Sequence, residues 1–170
     1  IAILAILAAA TIIYINPGEL LKEARDSQRI SDMVNLNKAL GLYVATVTNA
    51  HMSSSTDDNC FSGVEAFTCY SDSKTALGPT CGGRYGTLAR VSSQNRNVNG
   101  GGWLPVNLSE IGGGSPLAVL PSDPSNTGTF YYAYACSAAA TTTHSYVLTE
   151  TFESAKFGPA DQNNAGKSGG

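Results

Sequence analysis

The chain opens on a run of apolar residues, IAILAILAAATIIYI, which occupies positions 1–15. A helix of this length would extend about 22 Å, whereas roughly 20 residues are needed to span the hydrocarbon core of a bilayer. The segment is therefore too short to span a membrane alone. Because the sequence starts with Ile rather than Met, we expect this run to be the inner part of a longer apolar helix that starts before Ile1.

The core of a signal peptide is the alternative interpretation of residues 1–15, and the length fits. Signal peptides, however, carry a basic region before the apolar core and a small-x-small cleavage site after it. The sequence shows neither flank, since Thr-Ile-Ile-Tyr-Ile-Asn-Pro follows the alanines. We therefore predict a segment that is retained in the protein.

The apolar run is interrupted at Pro17 and Gly18, where proline removes a backbone donor and disfavours helical geometry at the preceding residue. We expect a kink there. Residues 19–47 then show apolar residues at helical spacing with charges between them. These apolar residues are Leu20, Ala24, Ile30, Met33, Leu36, Leu40, Tyr43 and Val47. The part from Met33 onward is predicted to pack on a head domain, and the charged first half to face solvent or neighbouring molecules.

Beyond Asn49 the sequence becomes polar and glycine-rich, as is typical of loops. Residues 129–136 and 144–152 have the alternation and residue types of β-strands, and the polar link between them suits a hairpin. Residues 117–120 are expected to add a short strand or turn, and Trp103 to pack on the core. The predicted fold class is α+β, with a long N-terminal helix on a small antiparallel sheet with long loops.

Charge is mild overall, with 10 Lys and Arg against 13 Asp and Glu, so no strongly basic surface is available for a nucleic acid. Its distribution is uneven. No charged residue precedes Glu19, and seven lie between Glu19 and Asp32. This asymmetry indicates that the chain passes from an apolar into an aqueous environment near Pro17.

Four cysteines, Cys60, Cys69, Cys81 and Cys136, lie in the loop-rich part of the chain. An even number in a small domain predicts two disulfides and a compartment outside the cytoplasm. Three pairings exist, and we favour Cys60 with Cys69, which closes a short loop, and Cys81 with Cys136. A zinc site is the alternative, but no Cys-x-x-Cys pair occurs and neither histidine has a ligand-like spacing to a cysteine.

Four parts are predicted along the chain. Residues 1–18 form the apolar helix and 19–50 its amphipathic continuation. Residues 51–158 form a β-rich globular head stapled by disulfides, and 159–170 form a flexible C-terminal tail.

Several stretches together are similar to one protein family. They are IAILAILAAA at the start, the break at Pro17, ARDSQRISD at 24–32, GWLPV at 102–106, LPSDPSN at 120–126, YYAY at 131–134 and FESAK at 152–156. The organisation resembles type IV pilins and the related pseudopilins of type II secretion. The resemblance covers nearly the whole chain, and its N-terminal part is the most specific.

The resemblance implies how the protein is processed and assembled. A prepilin peptidase trims a short basic leader, the new N-terminus is methylated, and an assembly ATPase with a platform protein moves subunits from the inner membrane into a helical filament. The family's cleavage site, its usual first Phe and the nearby Glu would all lie before Ile1. No residue of this sequence is therefore assigned to processing.

Three sets of residues follow from this interpretation. The side chains expected to pack in the filament core are Ile1, Ile3, Leu4, Ala5, Ile6, Leu7, Ala8, Ile12 and Ile13. Pro17 and Gly18 form the helix break. Charged residues that could pair between subunits, with a plain solvated surface as the alternative, are Lys22, Glu23, Arg25, Asp26 and Arg29.

The sequence gives little support for a catalytic function. It has only two histidines, His51 and His144, and neither lies in a recognisable motif. We predict no enzymatic activity and no cofactor. Calcium is the metal considered most closely, since some pseudopilins hold it in a head loop. Oxygen ligands are offered by Asp57, Asp58, Asn59, Asp72, Asp123 and Asp161, but no stretch has EF-hand spacing, so turn and cap roles are favoured.

Three functions remain open from the sequence. The first is a subunit of an extracellular filament for adhesion, motility or DNA uptake. The second is a major pseudopilin that forms a short periplasmic piston for secretion. The third is a monomeric surface protein anchored by its helix, with a head that binds a ligand.

Overall fold

A long helix, α1 (Pro17–Thr46), begins the part of the chain that the computed structural model describes, which comprises residues 16–53, 68–75, 77, 78, 80, 89–138, 144–158, 168 and 169. Pro17 takes the first helical position, where its fixed φ is favourable and its missing N–H costs no hydrogen bond. Asn16 before it has φ 44°, in the left-handed region that Asn tolerates. The helical backbone therefore starts at Pro17. It ends where Val47 turns to extended geometry while its N–H donates to the carbonyl of Tyr43.

The head contains a five-stranded mixed sheet in the order β2-β1-β3-β4-β5. The strands are β1 (Thr68–Ser71), β2 (Ala89–Ser92), β3 (Ala133–Ala138), β4 (His144–Thr149) and the two-residue β5 (Ser168–Gly169). Strands β1 and β2 run parallel, and the other neighbours are antiparallel. The predicted α+β class is confirmed, but the prediction of an antiparallel sheet is wrong for the β1–β2 edge.

The hairpin predicted from the aromatic segment is present as β3 and β4, with Ala135 opposite Val147. Both strands are shorter than expected, since residues 129–132 precede β3 and residues 150–152 follow β4. Residues 117–120 contain a bend and no strand, and the N–H of Leu120 donates to the carbonyl of Arg96.

The hydrophobic core lies between the second half of α1 and the sheet. As predicted, the helix contributes residues from Met33 onward, and Trp103 is buried, with its Nε1 donating to the carbonyl of Pro121 at 2.9 Å. The largest buried apolar side chains are Met33, Leu36, Leu40 and Tyr43 of α1, Trp103, Leu104, Val106, Leu108 and Leu120 of the long loop, and Tyr132, Tyr134 and Leu148 of the sheet region. This core fixes the second half of the helix on the head.

The first half of α1 differs from the prediction. Leu20 is 51% exposed and Ile30 is 38% exposed, although both belong to the apolar set read from the sequence. Asp26 and Arg29, expected to face outward, are fully buried. The helix thus turns charged side chains toward the head over its first half and apolar side chains over its second.

Several predicted features lie outside the described residues. They are the nine filament-core residues from Ile1 to Ile13, two of the four cysteines, and most of residues 159–170. Cys69 on β1 and Cys136 on β3 each take part in a disulfide bond. Because Cys60 and Cys81 are not described, the pairing stays a prediction. Within the described ranges, no helix is both long enough and apolar enough to cross a membrane.

At Gly102, the loop before Trp103 passes close to neighbouring backbone and side-chain atoms. A Cβ added there would overlap the carbonyl oxygen of Asn97 and the side chain of Leu120. The backbone on either side is fixed, because the N–H of Trp103 donates to the carbonyl of Asn95 at 2.7 Å. A larger residue at 102 would therefore displace the loop that carries Trp103 into the core.

Replacing Gly102 with Ala is expected to destabilise the head by about 1–3 kcal/mol, the usual range for forced overpacking. Gly113→Ala is the matched control, since nothing lies within 4 Å of a Cβ built there. Thermal unfolding followed by near-UV circular dichroism measures both. Equal melting temperatures for the two variants would contradict the close approach at Gly102.

Candidate functional site

The first half of α1 is attached to the head by a buried cluster of charges centred on Arg29, whose side chain is 0% exposed. Its Nε and Nη2 donate to the two carboxylate oxygens of Asp123 at 2.7 and 3.0 Å, a bidentate pair. Nη1 donates to Asp26 at 2.6 Å, and Nη2 also donates to Glu153 and to Ser125. These five residues, Asp26, Arg29, Asp123, Ser125 and Glu153, are called the Arg29 cluster below.

Asp26 ties the helix to the C-terminal segment, residues 150–158. Its carboxylate accepts the backbone N–H of Glu153 at 3.0 Å and that of Ser154 at 2.8 Å. Because these amides belong to an irregular segment, they have no partner in a strand or helix, and the helix carboxylate supplies one. The segment therefore takes its backbone position from a helix side chain.

Asp123 lies in a turn whose geometry suits this role. Its Oδ1 accepts the backbone N–H groups of Ser125 and Asn126, as Asp does in turns, and Asn126 adopts φ 40°. Asp72 accepts the N–H of Asp123 at 2.8 Å and that of Tyr132 at 2.7 Å. Asp72 and Asp123, two of the six residues considered for calcium, thus have turn and bridging partners inside the chain. The other four, Asp57, Asp58, Asn59 and Asp161, lie outside the described residues. In the described ranges, no group of three or more His, Cys, Asp or Glu side chains could hold a metal ion.

The other charges of the first half of α1 also contact the C-terminal segment or each other. Arg25 pairs with Glu153, Glu23 with Lys156 at 3.4 Å, and Lys22 with Glu19 at 3.3 Å. All five charges predicted to pair between subunits therefore make ion pairs within the chain. Asp26 and Arg29 are fully buried in their pairs. The inter-subunit role stays a prediction for all five residues.

The electrostatics of the cluster favour its charged state. Burial disfavours the guanidinium of Arg29, but hydrogen bonds to Asp123 and Glu153 outweigh it and raise the pKa of Arg29. Burial likewise acts to raise the pKa of Glu153, yet hydrogen bonds from Arg25, Ser125 and Arg29 lower it to about 2. The pKa of Asp26 is lowered because hydrogen bonds from Ser154 and Glu153 exceed its burial penalty. Arg29, Glu153 and Asp26 are thus ionised at neutral pH.

The outer face of α1 is defined here as the exposed residues of the helix from Leu20 onward. Because charged side chains of the first half turn toward the head, this face carries little charge. They are Leu20, Leu21, Ala24, Ser27, Gln28, Ile30, Ser31, Val34, Asn35, Lys38, Gly41, Leu42, Ala45 and Thr46. A single charged residue, Lys38, occurs among these fourteen. Solvent-facing helix surfaces usually carry most of a helix's charges, whereas in α1 two charged residues are fully buried and five more are half-buried.

The sequence contains a signal for the buried charges. From Met33 onward the buried residues of the helix alternate by three and four positions, and the same alternation extended backward falls on Arg29 and then on Asp26. Their partners Asp123 and Glu153 are 94 and 124 positions away from Arg29, so local periodicity does not identify them.

In comparisons with known proteins, no protein family, curated protein or solved structure matches this chain.

Arg29→Met is expected to lower the stability of the head by about 3–5 kcal/mol, because it leaves two buried carboxylates without their cation. Lys22→Met is the control. It removes a helix cation whose side chain is 45% exposed, and the melting temperature should stay nearly unchanged. Thermal unfolding at pH 7 compares the two variants. Equal effects would show that burial of Arg29 does not stabilise the attachment.

Proposed function

We propose that this chain is a structural subunit, a major pilin, of a type IV pilus-like extracellular filament. The observation that carries the proposal is the outer face of α1, which presents one charge and five large apolar side chains over seven helical turns. Such a face is typical of a helix that packs against other helices. The apolar run of residues 1–15, directly before this helix, extends the same character toward the N-terminus.

The composition of the outer face suits close packing between copies. Burial of a Leu or Val side chain contributes roughly 1.5–3 kcal/mol when it leaves water, and Leu20, Leu21 and Val34 are each more than 40% exposed. The small residues Gly41 and Ala45 allow helix backbones to approach each other. Repetition of this contact along a homopolymer would supply the energy of assembly.

A kink at Pro17 and Gly18 forms part of the proposal. The left-handed backbone of Asn16 and the start of the helix at Pro17 support a change of direction between the apolar run and α1. The bend would let residues 1–15 reach the centre of a filament while the head stays at its surface. A filament map with an unbroken straight helix from Ile15 to Leu21 would contradict this part.

The proposal places the subunit in the inner membrane before assembly and in a cell-surface filament afterwards. The partners are other copies of the chain, a prepilin peptidase and the pilus assembly machinery. Disulfide-bonded Cys69 and Cys136 favour an oxidising compartment for the head. The role is structural, with no catalytic step and no cofactor.

Val34→Asp is expected to abolish filaments, because it places a carboxylate on the outer face where a neighbouring helix would exclude water. Val34 is 45% exposed, so the head should keep its melting temperature. Val119→Asp is the matched control, since Val119 is 52% exposed and lies on a loop outside the helix. Electron microscopy of sheared cell-surface material measures filament number for each variant.

Normal filaments from the Val34→Asp variant would contradict the proposal. Protein found only in the cell envelope, with short assemblies that still depend on Val34, would instead favour the pseudopilin of a secretion system. A chain that stays monomeric in the native membrane whatever residue stands at position 34 would favour the anchored surface protein.

A further inference from the structure

Glu150 is a buried carboxyl group that the Arg29 cluster does not use. It directly follows β4 and begins the C-terminal segment, and its residue exposure is only 5%. Its Oε2 atom is buried and has no hydrogen-bond partner. An ionised carboxylate that lacks a donor in such a place is costly, because burial removes its hydration without replacing it.

Charged and titratable groups on α1 and on the segment before β3 interact electrostatically with Glu150. From α1 these groups are Asp26, Arg29 and Asp32, and from the segment before β3 they are Asp123 and the hydroxyl of Tyr132. Arg29 is the one cation in this set, and its hydrogen bonds go to Asp26, Asp123, Ser125 and Glu153. An ionised Glu150 would therefore add an excess negative charge beside carboxylates that already share one guanidinium.

We propose that Glu150 is a proton-binding site, and that its protonation tightens the attachment of residues 150–158 to α1. A proton neutralises the excess charge and gives the side chain an O–H donor in place of an unpaired acceptor. Loss of the proton leaves a buried charge at the first residue of the segment that Asp26 and Arg29 hold. The attachment of the first half of α1 is thereby linked to pH, whether or not the chain forms filaments.

The expected titration of Glu150 follows from this geometry. Burial raises the pKa of Glu150 from its ordinary 4.5 to about 7, and repulsion from Asp26, Asp123 and Asp32 adds to burial while Arg29 opposes it. Because the folded-state pKa exceeds the unfolded one, the folded chain binds more protons between pH 4.5 and 7. The contribution of Glu150 to stability is therefore largest below pH 4.5 and is lost as pH rises to 7.

The test compares the full chain with its Glu150→Gln variant in one detergent buffer at pH 5 and pH 8. The folding equilibrium constant of the unchanged chain should fall between these values by about a hundredfold more than that of the variant. Backbone amides of Glu153 and Ser154 should lose at least tenfold in hydrogen-exchange protection at pH 8, after correction for intrinsic rates. The variant should keep their protection. Glu110→Gln, at an exposed glutamate, serves as the control and should behave like the unchanged chain.

Three results would overturn the proposal. One is equal pH dependence in the unchanged chain and Glu150→Gln. Another is stabilisation of the unchanged chain by millimolar Ca²⁺ at pH 8 that the variant lacks, which would assign a divalent cation to the site instead of a proton. The third applies even where the variant does not fold: a carbon-13 NMR titration of the Glu150 carboxyl group in the unchanged chain with a midpoint near 4.5.

Discussion

A buried guanidinium needs carboxylates to neutralise its charge and accept its hydrogen bonds. At Arg29 this requirement determines how the first half of α1 lies on the head. No apolar side chain between Pro17 and Asp32 is buried in the structure, so hydrogen bonds and ion pairs, together with the cation–π contact of Arg29 on Phe130, hold this stretch. They come from two distant parts of the chain, the turn at Asp123 and the segment around Glu153. An apolar seam takes over from Met33 onward. The helix is thus held by charge in its first half and by hydrophobic burial in its second.

The outer face of α1 follows from this arrangement. Residues 26 and 29 continue the three-and-four alternation of the core-facing residues, so their charges turn inward and the apolar residues between them turn outward. If Asp26 and Arg29 faced solvent, the helix would have to rotate and expose Met33 and Leu36. The buried pairs and the apolar seam therefore require the same orientation of the helix. An outer face with a single charged residue, Lys38, results from the same orientation.

Local pattern was enough to predict the helix, its seam from Met33 onward, and the β3–β4 hairpin, because periodicity and adjacent segments encode them. It did not predict β1 and β2. These strands are four residues long and pair in parallel, with Thr68 opposite Ala89. The prediction also placed Asp26 and Arg29 on the surface, because a charge is normally solvated. Apart from each other, their partners lie 94 to 128 positions away in the sequence. The burial of Glu150 could not have been recognised, since the charged groups that interact with it belong to α1 and to the segment before β3, which are distant in sequence.

The central claim is that inward-facing charges leave α1 with an outer face that packs against other copies of the chain. Helical reconstruction by electron cryo-microscopy, on filaments of the full chain, tests it most directly. The account predicts Leu20, Val34 and Leu42 in contact with helices of neighbouring subunits, with Arg29 still paired to Asp123 inside each subunit. A reconstruction in which these three side chains face solvent, or in which Arg29 pairs across subunits, would contradict it.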